Sequence, residues 1–411
     1  MEKFDAIIAG AGPAGMMAAI RAAERNRKIL ILERNDTLGK KFLISGKGRC
    51  NLTNSRDVED FLKKFSQSRD FLRNAFAKFF NSDLVSFFDD AAVKLKTERD
   101  GRIFPQSDKS EDILDVLKAN LKNRNIKLLL GERAREIIMK DKKIESVLTY
   151  SGKRFLTAHA AITTGGASYP ETGSTGDGYR IAEKLGHKIV PLKPALCGIC
   201  IKERFIKDWQ GISLKNVRLT LFANGKRIDE ISDEMIFTHF GISGPGVLDM
   251  SASVYDALEL KKDVTLSINL KPALEYKILD AGLLREFKAN SVKNIKNIFK
   301  EFLPQGMISR FLEYCGIAKN KNANQITAVE RKKLIGGLFD LRLTAEGVMP
   351  IKDGFVTRGG VNTKEINPKT MESRLVNGLF FAGEVIDIDA KTGGYNMQAA
   401  FSTGWVCGDN I

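Results

Sequence analysis

A glycine-rich turn near the start of the chain is the strongest sign of chemistry in this sequence. Residues 10–15 read Gly-Ala-Gly-Pro-Ala-Gly, between an apolar run at 4–10 and an Ala-rich stretch at 16–24. A second apolar run at 28–32 ends on Glu33. Strand, G-x-G-x-x-G turn, helix, second strand and acid, in this order, are the dinucleotide-binding fingerprint. We therefore predict that this segment binds a dinucleotide.

Each residue type in this motif suits one part of such a ligand. Gly10 permits the tight turn, Gly12 lets the backbone approach a pyrophosphate, and Gly15 lets helix and strand pack closely. The start of the helix offers unpaired N–H groups and a positive dipole end to the phosphates. Glu33 lies 23 residues after Gly10, a usual distance for an acid that accepts from an adenosine ribose hydroxyl. The alternative is a glycine turn without a ligand.

Composition limits the class of protein. The chain has 411 residues, 43% of them hydrophobic, which is enough for two or three packed domains. Five Cys and three His are too few for a disulfide framework or a multi-metal site, so we expect no metal and a reducing, cytoplasmic compartment. A first strand that begins at residue 4 leaves no room for a signal peptide. No stretch approaches the length of a membrane span.

The charge of the chain is strongly basic and uneven. The net charge is +15, and residues 271–333 hold 13 basic and 6 acidic residues, which is nearly half of the excess. Such a segment is typical of proteins that bind nucleic acid or an anionic membrane. A solvated basic surface is the favoured explanation, and the sequence has no aromatic-interleaved RNA motif. We therefore expect no membrane partner, and a nucleic-acid partner is the less favoured interpretation.

Further elements must position the glycine turn. Residues 39–54 have three glycines, four basic residues and no acid, and are predicted to be a loop that holds phosphates or else an unliganded surface loop. Aromatic residues at helical spacing within 70–89 predict two core helices. A helix capped by Asp108 or Ser107 is predicted to run to about Arg124. A buried strand at 126–130 and a three-stranded meander over 134–157 follow.

The chain is then predicted to return to the first sheet. The apolar strand at 160–164 ends in Thr-Gly-Gly, beside the expected nucleotide. After a composition change near Pro191, alternating strands and an Asn224-Gly225 hairpin predict a small β-barrel or sandwich. Four amphipathic helices follow within 274–339. A late strand at 379–382 runs into Gly-Glu, and a final helix opens after Gly-Gly-Tyr.

Ordered motifs along almost the whole chain carry a family resemblance. They are GAGPAG, SGKGRCNLTN, GRIFPQS, TTGGASYPETGSTGDGY, FTHFGISGP, TRGGV, NPKTMESR, GLFFAGEVIDI and TGGYNMQAAFSTG. In these motifs the chain resembles the bacterial flavoprotein family that includes aminoacetone oxidase-like proteins and BaiN-like bile-acid reductases. The resemblance implies an α/β fold, with a glutathione-reductase-type FAD-binding, Rossmann-like domain that carries an inserted β-barrel-like domain and a small helical domain. The expected boundaries are 1–190 plus 345–411 for the FAD-binding domain, 191–270 plus about 335–344 for the barrel, and 271–334 for the helices.

The resemblance also implies FAD rather than NAD as the resident cofactor. The late Gly383-Glu384 turn fits this, because an FAD domain of this type closes over the ribityl chain with a distant glycine and acid. Glu384 would accept from a ribityl hydroxyl, with Asp387 as the fallback. The final helix would direct its positive end at the flavin ring. The residues expected to contact FAD are Gly10, Ala11, Gly12, Pro13, Ala14, Gly15, Glu33, Arg34, Lys41, Gly48, Arg49, Cys50, Asn51, Ala134, Thr164, Gly165, Gly166, Gly383, Glu384, Asp387, Gly394, Asn396, Met397 and Gln398.

Few side chains qualify for proton transfer. His239 lies in the glycine-rich FTHFGISGP segment, and Tyr395 and Tyr169 flank the glycine loops expected beside the flavin. For all three residues a purely structural role is the competing interpretation. The Cys197-x-x-Cys200 pair is not expected to be a redox disulfide, because it falls in a predicted strand with no helix start to lower a thiol pKa.

The reaction itself stays open at the level of sequence. The favoured function is an FAD-dependent oxidoreductase in which NAD(P)H, acting transiently, reduces an activated C=C bond of a small organic substrate. Transient binding is expected because the sequence contains no second G-x-G-x-x-G. One alternative is an amine oxidase that produces peroxide, and another is a basic flavoprotein that binds or modifies RNA through 271–333. No protein partner can be identified.

Overall fold

The chain folds into two compact units. The structure, a computed structural model, describes residues 2–66, 68–122 and 125–411. The first unit comprises the chain up to Ala195 together with Ile351–Ile411, and the second comprises Leu196–Pro350. The second unit is thus one continuous insertion into the first. The predicted division into three domains, with a separate helical insert at 271–334, stays a prediction.

The strands and helices are numbered here in chain order. The strands are β1 (Ala6–Ala9), β2 (Ile29–Glu33), β3 (Thr53–Asn54), β4 (Leu95–Thr97), β5 (Arg102–Pro105), β6 (Ile126–Leu130), β7 (Ala134–Lys140), β8 (Lys143–Thr149), β9 (Arg154–Leu156), β10 (His159–Ile162), β11 (Ile189–Ala195), β12 (Ile199–Ile201), β13 (Ser213–Ala223), β14 (Lys226–Phe237), β15 (Gly241–Ser243), β16 (Val264–Asn269), β17 (Leu341–Val348), β18 (Val356–Val361) and β19 (Leu379–Phe381). The helices are α1 (Pro13–Glu24), α2 (Lys40–Ile44), α3 (Val58–Leu62), α4 (Arg73–Lys78), α5 (Asn81–Asp89), α6 (Ser110–Lys122), α7 (Asp177–Lys184), α8 (Pro245–Glu259), α9 (Tyr276–Ala289), α10 (Ile295–Ile298), α11 (Gln305–Tyr314), α12 (Ala328–Phe339) and α13 (Tyr395–Asn410).

A parallel five-stranded sheet carries the glycine turn of the first unit. Its order is β19-β10-β1-β2-β6, so β1 lies in the middle. β1 and β2 are entirely buried, as expected for strands that are covered on both faces. The predicted return of the chain to this sheet is confirmed, because β10 pairs with β1. The prediction that β6 is buried is wrong, since β6 is an edge strand and none of its five residues is fully buried.

Helices α1 and α13, from opposite ends of the sequence, pack closely in the first unit. A side chain at Gly404 would clash with the carbonyl oxygen of Ala14, and one at Gly408 would clash with that of Ala18. The small residues of the last helix therefore serve a close approach to the helix that follows the glycine turn. This packing brings both ends of the sequence to one site.

The predicted barrel of the second unit is confirmed. Six strands close in the order β12-β15-β14-β13-β16-β17. Alternate residues of β13, including Leu219 and Leu221, point into a core that α8 to α12 share. The sequence predicts strands throughout this segment, because its many small and polar residues show no clear helical pattern. The structure instead contains the fifteen-residue helix α8.

Several local predictions need correction. The segment 39–54 is not all loop: α2 begins at Lys40, a 3₁₀ turn follows over Ser45–Gly48, and β3 ends the segment. Helices α4 and α5 are confirmed, with four of their six predicted core aromatics buried and two partly buried. The predicted end of α6 at about Arg124 lies outside the described residues.

Candidate functional site

The glycine turn has one position that the fold itself does not explain. Gly10 has φ +107°, and a Cβ there would lie 2.6 Å from the carbonyl oxygen of Thr163. A Cβ at Gly15 would clash with the carbonyl oxygen of Gly10. Gly12, in contrast, has an ordinary φ of −76°, and nothing lies within 4 Å of the place that its Cβ would take. Gly10 and Gly15 are thus required by packing, whereas Gly12 leaves an open cradle.

The start of α1 makes this cradle suitable for an anion. Pro13 is the first helical residue, and the first turn contains no acidic residue. The first-turn N–H groups of a helix have no acceptor within it, and the helix dipole is positive at this end. A pyrophosphate therefore fits the cradle in charge, in donors and in space.

Glu33 lies at the same turn. Its side chain is buried, with Oε2 accepting from Ala11 N at 2.8 Å and Oε1 accepting from Asn35 N at 2.9 Å. The carboxylate thus holds the end of β2 to the glycine turn. A carboxylate has about four lone-pair positions, which leaves acceptor capacity for a ribose hydroxyl.

A cluster of arginines borders the loop before α7. Asp177, 7% exposed, lies among the guanidinium groups of Arg34, Arg133 and Arg180. Burial alone would raise the pKa of Asp177, but the hydrogen bonds and charge of Arg133 outweigh it and lower that pKa. Three cations around one carboxylate give this part of the site a positive excess. Arg133 precedes Ala134, the buried first residue of β7.

A second cluster joins segments that are far apart in sequence. Lys41 Nζ lies 2.8 Å from Glu384 Oε2 and 2.7 Å from Ser168 Oγ. The other carboxylate oxygen of Glu384 accepts from Thr357 N at 2.8 Å. A Cβ at Gly166 would lie 2.8 Å from Glu384 Oε1. The predicted residues Lys41, Gly166 and Glu384 are therefore brought together.

Neighbouring predicted residues share this region. Thr164 Oγ1 is buried and has no hydrogen-bond partner among the described residues. Gly165 has φ +73°, and Gly383 has φ +77° with its Cβ position 2.9 Å from Ala14 Cβ. The Gly383 turn therefore lies directly against the start of α1, so the two predicted glycine motifs form one site.

Two residues of the basic segment are engaged within the protein. Arg49 pairs with Glu98 and Asp108, and its guanidinium lies 4.1 Å from the ring centroid of Phe104. Cys50 is fully buried with φ +58°, and burial raises the pKa of its thiol far above the usual range. Neither side chain is arranged to bind a ligand, so any contact from here comes from the backbone.

Two other residues of this basic segment have different surroundings: Gly48 borders open space, and Asn51 contacts the start of α13. Gly48 has φ +83°, with only one atom, 4.0 Å away, near its Cβ position. The Asn51 amide, oriented to satisfy both neighbours, accepts from Gly394 N at 3.1 Å. Asn51 thereby connects the basic segment to the start of α13.

The start of α13 offers its backbone rather than its side chains. Asn396 uses both ends of its amide on Ala390, accepting at 2.9 Å and donating at 2.8 Å. Gln398 is fully buried and binds Thr53 and Ser402. Met397 is only partly buried. The first turn of α13 contains no acidic residue, so its positive end suits a group that gains negative charge.

Asp387 lies in the segment between the Gly383 turn and α13, and the pKa of its carboxyl is raised. Burial is the largest cause that raises the pKa of its carboxyl, and the charge of Asp389 adds to it. Arg358 and the N–H of Gly359 act in the opposite direction. The carboxyl of Asp387 therefore keeps its proton to a higher pH than an exposed aspartic acid.

The three side chains predicted for proton transfer lie in different environments. Tyr395 is buried and packs edge-on against Phe61 at 4.7 Å, which favours its packing role. Tyr169 has φ +51° and lies half-buried near Phe355, and burial raises the pKa of its hydroxyl. His239 is exposed and belongs to the second unit, in the turn between β14 and β15.

The cysteine pair is not arranged for redox chemistry. Cys197 lies before β12 rather than inside the predicted strand, and both thiols are free. Burial raises the pKa of Cys197 to about 11, and also raises that of Cys200. No group of His, Cys, Asp and Glu that could hold a metal ion occurs in the described ranges.

Sequence reasoning missed four residues that build the site: Ser168, Thr357, Arg133 and Asp177. Three of them lie inside the quoted motifs: Ser168 and Asp177 in TTGGASYPETGSTGDGY, and Thr357 in TRGGV. The contacts of Ser168 and Thr357 with Glu384 cross the fold, so no local pattern could have revealed them.

A glycine turn on the central strand of a parallel sheet, joined to a second glycine–acid turn, defines a dinucleotide-binding α/β enzyme of the Rossmann type. The chain belongs to the family described as HI0933-like protein Rossmann domain, whose family model matches residues 4–410. The protein is an FAD-dependent oxidoreductase, and the predicted family, fold class and enzyme class are confirmed.

Two curated relatives are similar along their whole length. A "Ribosomal RNA dihydrouridine synthase" of Escherichia coli K12 is 31% identical, over 100% of this chain and 98% of that protein. A "3-dehydro-bile acid delta(4,6)-reductase" of Clostridium scindens is 30% identical, over 98% of this chain and 97% of that protein. The two names give substrates of different kinds, a ribosomal RNA and a bile acid.

Two solved structures share the fold. A 3-ketosteroid delta1-dehydrogenase from Sterolibacterium denitrificans has a TM-score of 0.55 and 14% identity, over 99% of both chains. An E. coli quinol fumarate reductase subunit has a TM-score of 0.52 and 15% identity, over 100% of this chain and 70% of that chain. In addition, none of the helices in the described ranges is long and apolar enough to cross a membrane.

Proposed function

We propose that this protein holds FAD and reduces a C=C bond that is conjugated with a carbonyl group, and that the substrate is a uridine in RNA. A dihydrouridine synthase saturates the ring double bond of uracil, and the bile-acid reductase acts on double bonds conjugated with a ring ketone. This common chemistry supports reduction rather than amine oxidation.

One observation carries the FAD assignment: the open cradle at Gly12. Because neither backbone conformation nor packing requires glycine there, close approach of a ligand supplies the reason. The pyrophosphate would lie at the start of α1, with Glu33 on the adenosine side. Glu384 lies in the Gly383 turn, which contacts the start of α1. There it would accept a hydrogen bond from a hydroxyl of the ribityl chain.

Bound FAD would supply hydride transfer, with hydride taken from NAD(P)H, which is oxidised to NAD(P)⁺. The remaining steps belong to the chain. The first-turn N–H groups of α13 would stabilise negative charge on the ring beside them. Hydride adds to one carbon of the double bond, so a proton must reach the other. We propose Asp387 as the group that holds that proton, because it lies three residues after Glu384, its N–H is bonded to Val361 O at the end of β18, and burial raises the pKa of its carboxyl.

The charge of the chain supports RNA over a small substrate. The net charge is +15, and the helical segment of the second unit contributes a large part of it. Phosphate contacts by Lys and Arg supply most of the sequence-independent affinity for nucleic acid. An enzyme for a small ketone needs no such surface.

The test is a substrate comparison under nitrogen. Protein loaded with FAD is mixed with NADH or NADPH, and then with unmodified ribosomal RNA, a carbonyl-conjugated steroid or an amine. We expect the flavin absorbance to bleach with a nicotinamide, and one RNA uridine to gain two hydrogens by nucleoside mass spectrometry. Bleaching by the amine alone, with peroxide formed in air, would contradict the proposal.

A small unsaturated ketone is the second candidate substrate, favoured by the bile-acid relative. Steroid turnover with RNA left unchanged would replace the RNA assignment and keep the C=C chemistry. The RNA must come from cells that lack the endogenous enzyme, so that the target uridine is present unreduced.

A further inference from the structure

We propose that the exposed faces of α9 and α12 form a docking surface for the phosphate backbone of RNA. The inference rests on the proposed function, since it assumes that RNA is the substrate. It concerns the second unit alone, and we call this surface the α9–α12 face. It is defined by Lys277, Arg285 and Lys288 on α9 and by Lys332, Lys333 and Gly336 on α12.

The sequence of α9 separates an apolar face from a basic face. Leu279 and Phe287 are buried, and the cations of α9 are exposed. Lys277, Arg285 and Lys288 recur at helical spacing and therefore share the side opposite to the core. Lys277 and Lys288 are about 16 Å apart along the helix axis. No acid lies on that side of α9.

Helix α12 adds two cations and a gap. Lys332 and Lys333 are exposed, and so is Gly336, one turn later. Nothing lies within 4 Å of the Cβ position of Gly336, and its φ is not positive. Glycine inside a helix is unfavourable relative to alanine, and packing does not explain this one. A partner backbone that approaches closely between the lysines would explain it.

The two helices present these faces on the same side. Asp280 of α9 binds Arg331 of α12 at 2.7 Å, and Tyr276 stacks on Phe339 at 6.3 Å. The order of these contacts makes the helices antiparallel neighbours. Both helices bury their opposite sides in one core. Their exposed faces therefore form one continuous surface.

Two acids near this surface are engaged with other cations, and Glu286 of α9 accepts from the Asn290 amide. Glu330 binds Lys321 at 2.5 Å, and Asp280 binds Arg331. Within the ranges that the structure describes, none of the five cations on the α9–α12 face forms an ion pair. The positive charge of the face is therefore uncompensated and complementary to a polyanion.

The test compares two triple variants of equal charge. Lys277→Ala, Arg285→Ala and Lys288→Ala are combined in one protein. The control combines Lys207→Ala, Lys215→Ala and Lys226→Ala, which are exposed in the same unit. Ribosomal RNA binding is measured at several salt concentrations, together with flavin absorbance and the melting temperature.

We expect the α9 variant to lose about tenfold or more in RNA affinity at low salt, and its salt dependence to fall by about 2 to 3 in slope. The control should change affinity far less. Flavin content and bleaching by NAD(P)H should stay at the wild-type level in both. Gly336→Leu tests the close approach without changing charge: helix propensity improves, yet RNA affinity should fall.

The outcomes separate this inference from the proposed function. If wild-type protein reduces RNA uridine, and both the α9 triple variant and Gly336→Leu bind RNA normally, the α9–α12 face is not the docking surface. If wild-type protein neither binds nor reduces RNA while it turns over the steroid, the proposed substrate itself fails.

Discussion

Lys41 Nζ lies 2.8 Å from Oε2 of Glu384, although 343 positions separate the two residues in sequence. Ser168 binds the same lysine at 2.7 Å, and Thr357 donates to the same carboxylate. The resemblance assigned both charged residues to FAD, and the structure shows that they also bind each other. The pair therefore fixes the second glycine turn before a cofactor enters, which reduces the ordering cost of binding.

Gly12→Val should give folded protein without flavin. Open space surrounds the Cβ position of Gly12, so the side chain would fill the pyrophosphate cradle and leave the core intact. Flavin absorbance per chain and the melting temperature measure the two effects. Gly15→Val is the matched contrast, since its side chain would clash with Gly10 and should lower stability as well. A yellow, fully loaded Gly12→Val protein would contradict the assignment.

Glu384→Gln should weaken FAD binding by about tenfold to a hundredfold. This is the change in affinity that corresponds to the free energy of one hydrogen bond to a charged group. The amide retains the shape of the side chain but loses the ion pair with Lys41. The measurement is a titration of apoprotein with FAD. Lys40→Ala is the control, because Lys40 pairs with an exposed Asp36 and should leave the affinity unchanged. Equal affinities in Glu384→Gln and wild-type protein would remove Glu384 from the site.

His187 should make stability depend on pH. Its ring is buried between Glu365 Oε2 at 3.2 Å and Ser373 Oγ at 2.9 Å, and burial lowers its pKa despite the opposing charge of Glu365. The unfolded chain takes up the proton first, so stability is fully present above about pH 6.5 and decreases as the pH falls below it.

The slope from this one group is at most about 1.4 kcal/mol per pH unit. Denaturant melts between about pH 5 and 8 measure it. The difference between wild-type protein and His187→Gln isolates this slope from the other groups that titrate. Ser373→Ala should cost about 1 kcal/mol through the lost hydrogen bond and retain the slope. Parallel curves for wild-type and His187→Gln would show that the ring does not titrate in this way.

Asp387→Asn should separate the two halves of the proposed reaction. Bleaching by NAD(P)H needs no proton from Asp387 and should stay within about twofold of wild type, whereas reduction of the C=C bond should slow by about a hundredfold or more. In wild-type protein, the second half should slow as the pH rises through the raised pKa of this carboxyl. Anaerobic stopped-flow measurements resolve both halves. Equal slowing of both halves would indicate damage to FAD binding instead.

Several local patterns predicted their elements correctly, although the fifteen-residue helix α8 was missed. The turn at 10–15, the meander β7 to β9 and the alternating barrel strands were predictable because periodicity and turn residues determine them. Residues that act across the fold were not. Asn396 is bonded to Ala390, and Gln398 is bonded to Thr53 and Ser402. A motif can indicate that such residues lie at a site, but it cannot show which atoms are already used.

The packing of α13 on α1 also sets the order of events during synthesis. The glycine turn at 10–15 is translated first, whereas Gly383, Glu384 and the start of α13 follow it by more than 360 residues. The edge strand β19 is added at the same late stage. We therefore expect a nascent chain to be unable to retain flavin until α13 has been translated and can pack on α1.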